Sequence, residues 1–499
     1  MKIRKWIETS VIVFFCVMAA LLVSRNLPRA EKDRIRLGKI NITDEKLERD
    51  NWMGVYMGEK KIGYSHLNIT RTTCEGRDAY CITDETFMKF RYDYQSYDAN
   101  VNAKIYVRTD MKPISFSMSI FTDVYRAVIE GKAKGDKIEV VVDSGGSKMK
   151  KEFPITAATY LPSSVDMLLV KQNLEIGKPY RIDLFDPQVL SGEYITVTLK
   201  RKEKLNNEEI LVVEKDYKGL VSTSWMNMKG EVIKEENTLG MKMITESKEV
   251  ALSGGKFEAG ELVSKASIPS NVFIKAARSI SYLKVRMRGL KGFILPPSRR
   301  QSVSGNRGEI TVEVNSRLEE EEVLAGEKFR EYTMPSMLVQ SNEPEIVNAA
   351  IEITEDDTLP WEKAKRLNQW AFKNIQKVPT FSLPSAMNVI KEKRGDCNEH
   401  AVLLVALCRA CRIPARAVAG VVYMPPSGLT VVDKGDNGSF FYHAWVEVNI
   451  SGKWKMLDPT FGQNEVDAAH IKLLDGDIDK QVELVRLIGN LVVSVETYK

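Results

Sequence analysis

The sequence predicts an α+β protein of several domains, and three observations carry that prediction. From Trp52 to about residue 250, short β-branched and aromatic runs alternate with turn residues. From Pro335 onward, helical periodicity appears and then gives way to two adjacent strand-like runs. Ahead of both, an unbroken apolar run follows a basic N-terminus. At 499 residues the chain is too long for one ordinary core. The expected division is a signal anchor or transmembrane helix over 1–24, a linker over 25–50 and a mainly antiparallel β domain over 51–250. A β-rich bridging region over 251–335 and a C-terminal α+β domain over 336–499 complete it.

Composition excludes some classes. Charged residues make up 28% and hydrophobic ones 43%, as in ordinary globular proteins. A net charge of +5 is too weak and diffuse on this length to argue for nucleic acid. Six cysteines are too few for a disulfide scaffold.

Taken in order, Lys2, Arg4 and Lys5 precede an apolar run from Val11 to Val23, extended backwards by Trp6 and Ile7. The run is short against the about 17–25 residues of a membrane span. No small-x-small cleavage site follows cleanly, and Phe14-Phe15-Cys16 lacks the small residue expected before a lipidated cysteine. An uncleaved signal anchor is favoured over a cleaved signal peptide. A buried core helix is the weaker reading, because basic residues flank the run on both sides. Arg25, Arg29, Lys32, Arg34 and Arg36 argue for a cytoplasmic side by charge counting. Interleaved acids and the translocation of long folded domains outweigh that count. The expected location is therefore membrane-anchored and extracytoplasmic, on the periplasmic or cell-envelope side.

Residues 25–50 are charged and aperiodic, as a stalk would be. The β domain opens with Tyr-x-Gly-x-x-x-Ile-Gly-Tyr at Tyr56 and carries Trp225 five residues before Gly230, which suggests a curved sheet of the bacterial periplasmic half-barrel kind. No catalytic constellation lies there, and His66 reads as structural. Cys74 and Cys81 flank a turn expected at Glu75 to Asp78, so outside the cytoplasm a disulfide across the hairpin is expected. In the bridge, Lys284, Arg286, Arg288, Lys291, Arg299 and Arg300 form a basic stretch. A solvated face explains it more simply than contact with anionic lipid.

In the last domain Glu345 to Thr354 suits a helix. Pro360 opens a second, with Ala364, Leu367, Trp370, Ala371 and Ile375 on one face. Ser385 caps a short third. Gly395-Asp396-Cys397 then delivers a cysteine to the start of an apolar helix, where free N–H groups and the dipole favour a thiolate and an oxyanion. A strand is expected from Ala415 to Tyr423, and a loop over 425–438 that shapes the cleft. Two strands joined at Ser451-Gly452 carry His443 and end at Asp458-Pro459, which sets the two side by side. Nucleophile, base and orienting carboxylate are thus Cys397, His443 and Asp458.

Gly-Asp-Cys before an apolar helix, then Arg412-Ile-Pro-Ala-Arg416, Tyr442-His-Ala-Trp-Val-Glu-Val448 and Trp454-x-x-x-Asp-Pro-Thr460 together resemble the transglutaminase-like superfamily of cysteine enzymes. The resemblance covers roughly the last third of the chain. It implies a papain-like α+β core with those three residues as the triad, no cofactor and no metal. It also implies a protein or peptide substrate; membrane contact through the N-terminal helix is expected separately, from the apolar run after Lys2, Arg4 and Lys5. One departure is Cys411-Arg412, where relatives often have Ala-Gly, which removes the usual glycine helix stop.

A metal site of Cys397, His400, Cys408 and Cys411 fails on length, because that stretch of helix spans about 21 Å. Cys408 and Cys411 read as small buried hydrophobes. His400 lies near Cys397 but lacks an orienting partner. The triad chemistry is attack on an amide carbonyl to give a thioester, resolved by water in a protease or amidase and by an amine in a transglutaminase. Bacterial anchored relatives of this kind tip the reading toward hydrolysis. A non-catalytic envelope binding or scaffold protein is the third alternative, against which the intact triad argues.

Overall fold

The computed structural model describes residues 35–36 and 47–499, apart from 93–94, 123–124, 145–146, 157, 170–171, 173, 188–190, 206, 218, 239, 254–256, 258–259, 262–266, 291, 306–307, 379–384, 427–436, 477–483 and 485–486. The expected anchor over 1–24, nearly all of the 25–50 linker and most of the 425–438 loop therefore lie outside the described residues. Among the described residues no helix is long and apolar enough to cross a membrane. The chain forms two compact units that divide after Glu261.

The first unit is one antiparallel meander. Its spatial order runs from Pro179–Asp186 through successive strands to Met241–Glu246, then from Arg49–Met57 through to Ser147–Pro154. Side chains alternate as a one-sided core requires: in Pro113–Thr122, Phe116, Met118 and Ile120 are buried while Ser117 and Ser119 are less so. The meander curls until its end strands meet, with the rings of Phe153 and Phe185 5.3 Å apart. Gly63 permits one close approach, since a Cβ there would sit 1.9 Å from the Phe87 carbonyl oxygen. His66 stacks on Trp52 at 3.8 Å and bonds Asp50, a structural role.

The expected Cys74–Cys81 disulfide does not form. The turn is two residues long, Glu75 and Gly76, with φ of 52° and 75°. That register pairs Cys74 with Arg77 and Cys81 with Thr70. The cysteines are therefore offset by about 13 Å along the hairpin at roughly 3.3 Å per residue. A bridge tolerates about 7 Å between Cα atoms. Both thiols are free.

In the second unit the helices Gly326–Thr333, Pro344–Thr354, Pro360–Asn374 and Ala386–Glu392 precede α1 (Cys397–Ala410). A sheet follows, built from β1 (Ala415–Met424), β2 (Ser439–Ile450), β3 (Lys453–Leu457) and β4 (His470–Asp475). Its spatial order is Glu320–Glu321, β3, β2, β1, β4, with Ile268–Pro269 added to β2. α1 packs on β1 and β2 and against the other helices, so both its flanks are covered and nearly all its residues are buried. Trp445, Tyr423, Tyr442 and Phe440 are among the chain's largest fully buried side chains.

Of the 251–335 stretch, Gly260–Glu261 pairs with Arg77–Tyr92 of the first unit, whereas the part from residue 267 on pairs into this one. Tyr282–Arg288 lies between Glu309–Asn315 and Val492–Tyr498. Its basic residues are matched: Lys284 with Glu313, Arg286 with Glu496, Arg288 with Glu309 and Arg299 with Glu321. On the Pro360 helix, Asn368 rather than Trp370 completes the buried stripe, because its amide donates to Gln463 O and Asn464 Oδ1. Ser385 sits at the expected cap position, yet its hydroxyl pairs with Gln340 instead of a helix amide.

Candidate active site

The start of α1 is built by three residues around Cys397. Asp396 is the N-cap; its Oδ1 accepts from Asn398 N at 2.8 Å, and Glu399 Oε2 accepts from Asp396 N at 2.9 Å. This reciprocal capping box satisfies two amides that a helix start leaves open. It also explains Gly395. A Cβ at that position would lie 2.2 Å from Glu399 Cβ, so only glycine lets Glu399 fold back. Cys397 occupies the first helical position, where its own N–H has no intrahelical acceptor.

β2 brings His443 to the same place. The backbone N–H of Ala444, the next residue, donates toward the Cys397 sulfur. His443 Nε2 lies 2.7 Å from Asp458 Oδ2. The carboxylate accepts there, so Nε2 carries the proton and Nδ1 holds the lone pair. Nδ1 is buried and makes no hydrogen bond. The ring is stacked on Phe461 at 4.7 Å. Asp458 follows the end of β3 in a tight turn, with Oδ1 accepting from Thr460 N at 2.8 Å and Phe461 N at 2.9 Å. The structure thus brings together all three residues named from the sequence, and all three are fully buried.

Electrostatics revise one expectation. Burial pushes the Cys397 thiol well up, with Asp396 and Glu399 adding to it and the Ala444 N–H opposing it. Burial, with the two acids of the capping box adding to it, works against a resting thiolate at the helix start. Burial also lowers His443, against the pull of Asp458. The resting pair is therefore neutral thiol and neutral imidazole. Burial would raise Asp458, but His443 and His470 outweigh it and hold the carboxylate ionised.

His400 is not a competing base. Its Nδ1 donates to Asp396 O at 2.6 Å, and burial lowers it to about 4. Cys408 is buried and Cys411 half-buried, the latter 3.8 Å from the Thr354 hydroxyl. Neither meets an imidazole.

Sequence reading missed His470. At the head of β4 it bonds Asp458 Oδ2 through Nε2 at 3.2 Å and Asp467 Oδ1 through Nδ1 at 3.0 Å. Two signals pointed to it: it is one of only four histidines in the chain, and Asp467 stands three residues before it.

Residues 347–459 match the transglutaminase-like superfamily. Over 202 residues the chain is 28% identical to the uncharacterized protein YebA of Bacillus subtilis, covering 36% of this chain and 27% of that one. Over 139 residues it is 30% identical to the uncharacterized protein ML0607 of Mycobacterium leprae, covering 24% and 48%. The chain thus spans less than half the length of either curated relative. A crystal structure of a provisionally named cysteine protease from Cytophaga hutchinsonii aligns at 20% identity and a TM-score of 0.28, covering 44% of this chain and 86% of that one.

Proposed function

We propose that this chain, whose residues 347–459 form a transglutaminase-like core, is a cysteine-nucleophile enzyme that hydrolyses amide bonds of proteins or peptides through a thioester. One observation carries the reading: His443 is anchored to Asp458 at 2.7 Å through Nε2 and its Nδ1 stays unbonded, while the N–H of the next residue, Ala444, donates toward the sulfur of Cys397 at a helix start.

Cys397 sulfur attacks the carbonyl carbon as its proton moves to His443 Nδ1. The Cys397 N–H donates to the oxyanion. The C–N bond then breaks, and Nδ1–H protonates the leaving amine. Water attacks the thioester, gives a proton to Nδ1, and the C–S bond breaks to release the acid. The proton returns to sulfur. Asp458 holds the ring in the tautomer each step needs. Because the resting pair is neutral, His443 works as a general base during attack.

Acyl transfer to an amine differs only in what resolves the thioester. The test is turnover of a generic peptide amide in ¹⁸O-water with a primary amine present, read by mass spectrometry. One ¹⁸O in the released acid is expected, and none with Cys397→Ala. Quantitative amine incorporation would replace hydrolysis with transfer. We further propose that residues 25–499 lie outside the cytoplasmic membrane, held by the apolar run after Lys2, Arg4 and Lys5. A reporter active only in the cytoplasm, fused after Lys499, should stay silent; a strong signal refutes that topology.

A further inference from the structure

Asp458 has no acceptor capacity left over. Oδ1 takes the Thr460 and Phe461 amides, and Oδ2 takes two imidazoles, His443 at 2.7 Å and His470 at 3.2 Å. His470 in turn spans two carboxylates, Asp458 through Nε2 and Asp467 through Nδ1. Ionised carboxylates only accept hydrogen bonds. A ring with a carboxylate on each nitrogen must donate from both, so it is an imidazolium. Asp467 is itself fixed by Arg278 Nη1 at 3.0 Å, by Gln463 Nε2 at 2.9 Å and by the Ala469 amide at 2.8 Å. Trp445 and Phe461 close the remaining sides of His470 with ring centroids 5.2 Å and 5.8 Å away. The charged and titratable groups facing it are Asp458, Asp467, His443 and, through Asp467, Arg278.

We propose that His470 is a positioning residue, a fixed buried cation that locks Asp458 and keeps His443 neutral at rest, so that the triad works as a tetrad. The inference rests on the proposed function, which supplies the role of His443. The reasoning is electrostatic. A carboxylate facing one imidazole favours that ring's charged form. Here a second, charged imidazole neutralises the carboxylate first, so Asp458 orients His443 without holding it as an imidazolium. Nδ1 therefore keeps its lone pair for the thiol proton. The same three side chains offer ligand atoms within 4.8 Å of one another, a spacing that a cation also accepts. The two direct hydrogen bonds on Oδ2 favour protons over a metal as the shared partner.

The direct test needs neither substrate nor variant. With only four histidines in the chain, ¹⁵N-histidine spectra are tractable. At pH 8 one ring should show both nitrogens protonated, and that signal should vanish in His470→Gln. Four neutral rings at pH 8, or a charged ring that survives the substitution, overturn the proposal. The catalytic readout is Cys397 alkylation by iodoacetamide against pH. His470→Gln keeps a donor toward Asp458 but removes the charge, so the rate profile's acid limb should move to higher pH as His443 becomes more basic. His470→Phe removes the donor too and should lower turnover roughly ten- to a hundredfold, with KM unchanged. An unshifted limb in folded His470→Gln refutes the electrostatic role. An EDTA treatment of the wild type that reproduced the His470→Gln limb shift would put a metal in place of the proton and overturn the proposal. Failure of the wild type to alkylate selectively at Cys397 would strike the proposed function instead, leaving the spectra to decide this inference.

Discussion

The first turn of α1 carries Cys397; the last carries Cys408, with Cys411 just beyond. Burial raises all three thiols, so acidity does not set the ends apart. Their neighbours do. At the first turn Gly395 clears space, Asp396 and Glu399 close the cap, and β2 brings the Ala444 N–H and the His443 ring. At the other end Cys411 meets the Thr354 hydroxyl and the Ala350 carbonyl, and Arg409 and Arg412 finish the helix. A cysteine becomes a candidate nucleophile by what a second element places beside it. Being on a helix, or being buried, does not suffice.

The largest effect should come from exchanging the two ends. Cys397→Ala should abolish turnover, a loss of roughly a millionfold as when other nucleophiles are removed. His443→Ala should come close, since sulfur loses its proton acceptor and the amine its acid. Asp458→Ala should be milder by one to two orders of magnitude, roughly as orienting residues behave elsewhere. Cys408→Ala should keep activity and lower the melting temperature. Turnover beside a thermal melt checks all four. A folded Cys397→Ala with wild-type turnover, or a dead Cys408→Ala, breaks the comparison.

Gly395→Ala probes how the first turn is built. The new methyl would meet Glu399 Cβ at 2.2 Å and expel the capping side chain. Loss of a helix cap costs about 1 kcal/mol and overpacking about 1–3 kcal/mol. Activity should fall further than that stability loss explains, because the Cys397 amide moves with the cap. Glu399→Gly, which removes the obstructing Cβ, should restore part of the Gly395→Ala loss in a double variant. Independent, additive losses would show that the glycine serves some other purpose.

These contrasts also mark what the sequence made legible. The three candidate residues were readable because each sits in a short local pattern: a cap, a hairpin strand, a strand end. The meander was readable from alternation. The Cys74–Cys81 offset was not, because a two-residue turn and a four-residue one share the letters Glu-Gly-Arg-Asp and differ only in backbone φ. Asn368 was not legible as a buried position because its amide is satisfied by a loop about 95 residues away in sequence. His470 escaped because its partner Asp458 is reached only through the turn that leads from β3 to β4. The neutral thiol escaped for a related reason: helix position is written in sequence, whereas burial beside two acids appears only once the cap is folded.

The smallest effect concerns the far end of α1. Arg412 adopts φ of 57°, the left-handed conformation in which a helix commonly ends on glycine. The chain therefore makes the turn that the missing glycine would make, at a cost of about 1 kcal/mol for a residue with a Cβ. Arg412 N still donates to Arg409 O at 2.9 Å and Ile413 N to Cys408 O at 2.9 Å, so the last carbonyls are satisfied. Arg412→Gly should relieve the strain while adding some freedom to the unfolded chain. The net expectation is a gain of about 0.5 kcal/mol, a rise of one to a few degrees in melting temperature, with turnover unchanged. Arg412→Val should move the other way, since a β-branched side chain tolerates positive φ poorly. If Arg412→Gly instead reduced turnover without unfolding, this end of the helix would be coupled to the chemistry. The division of labour between its two ends would then be wrong.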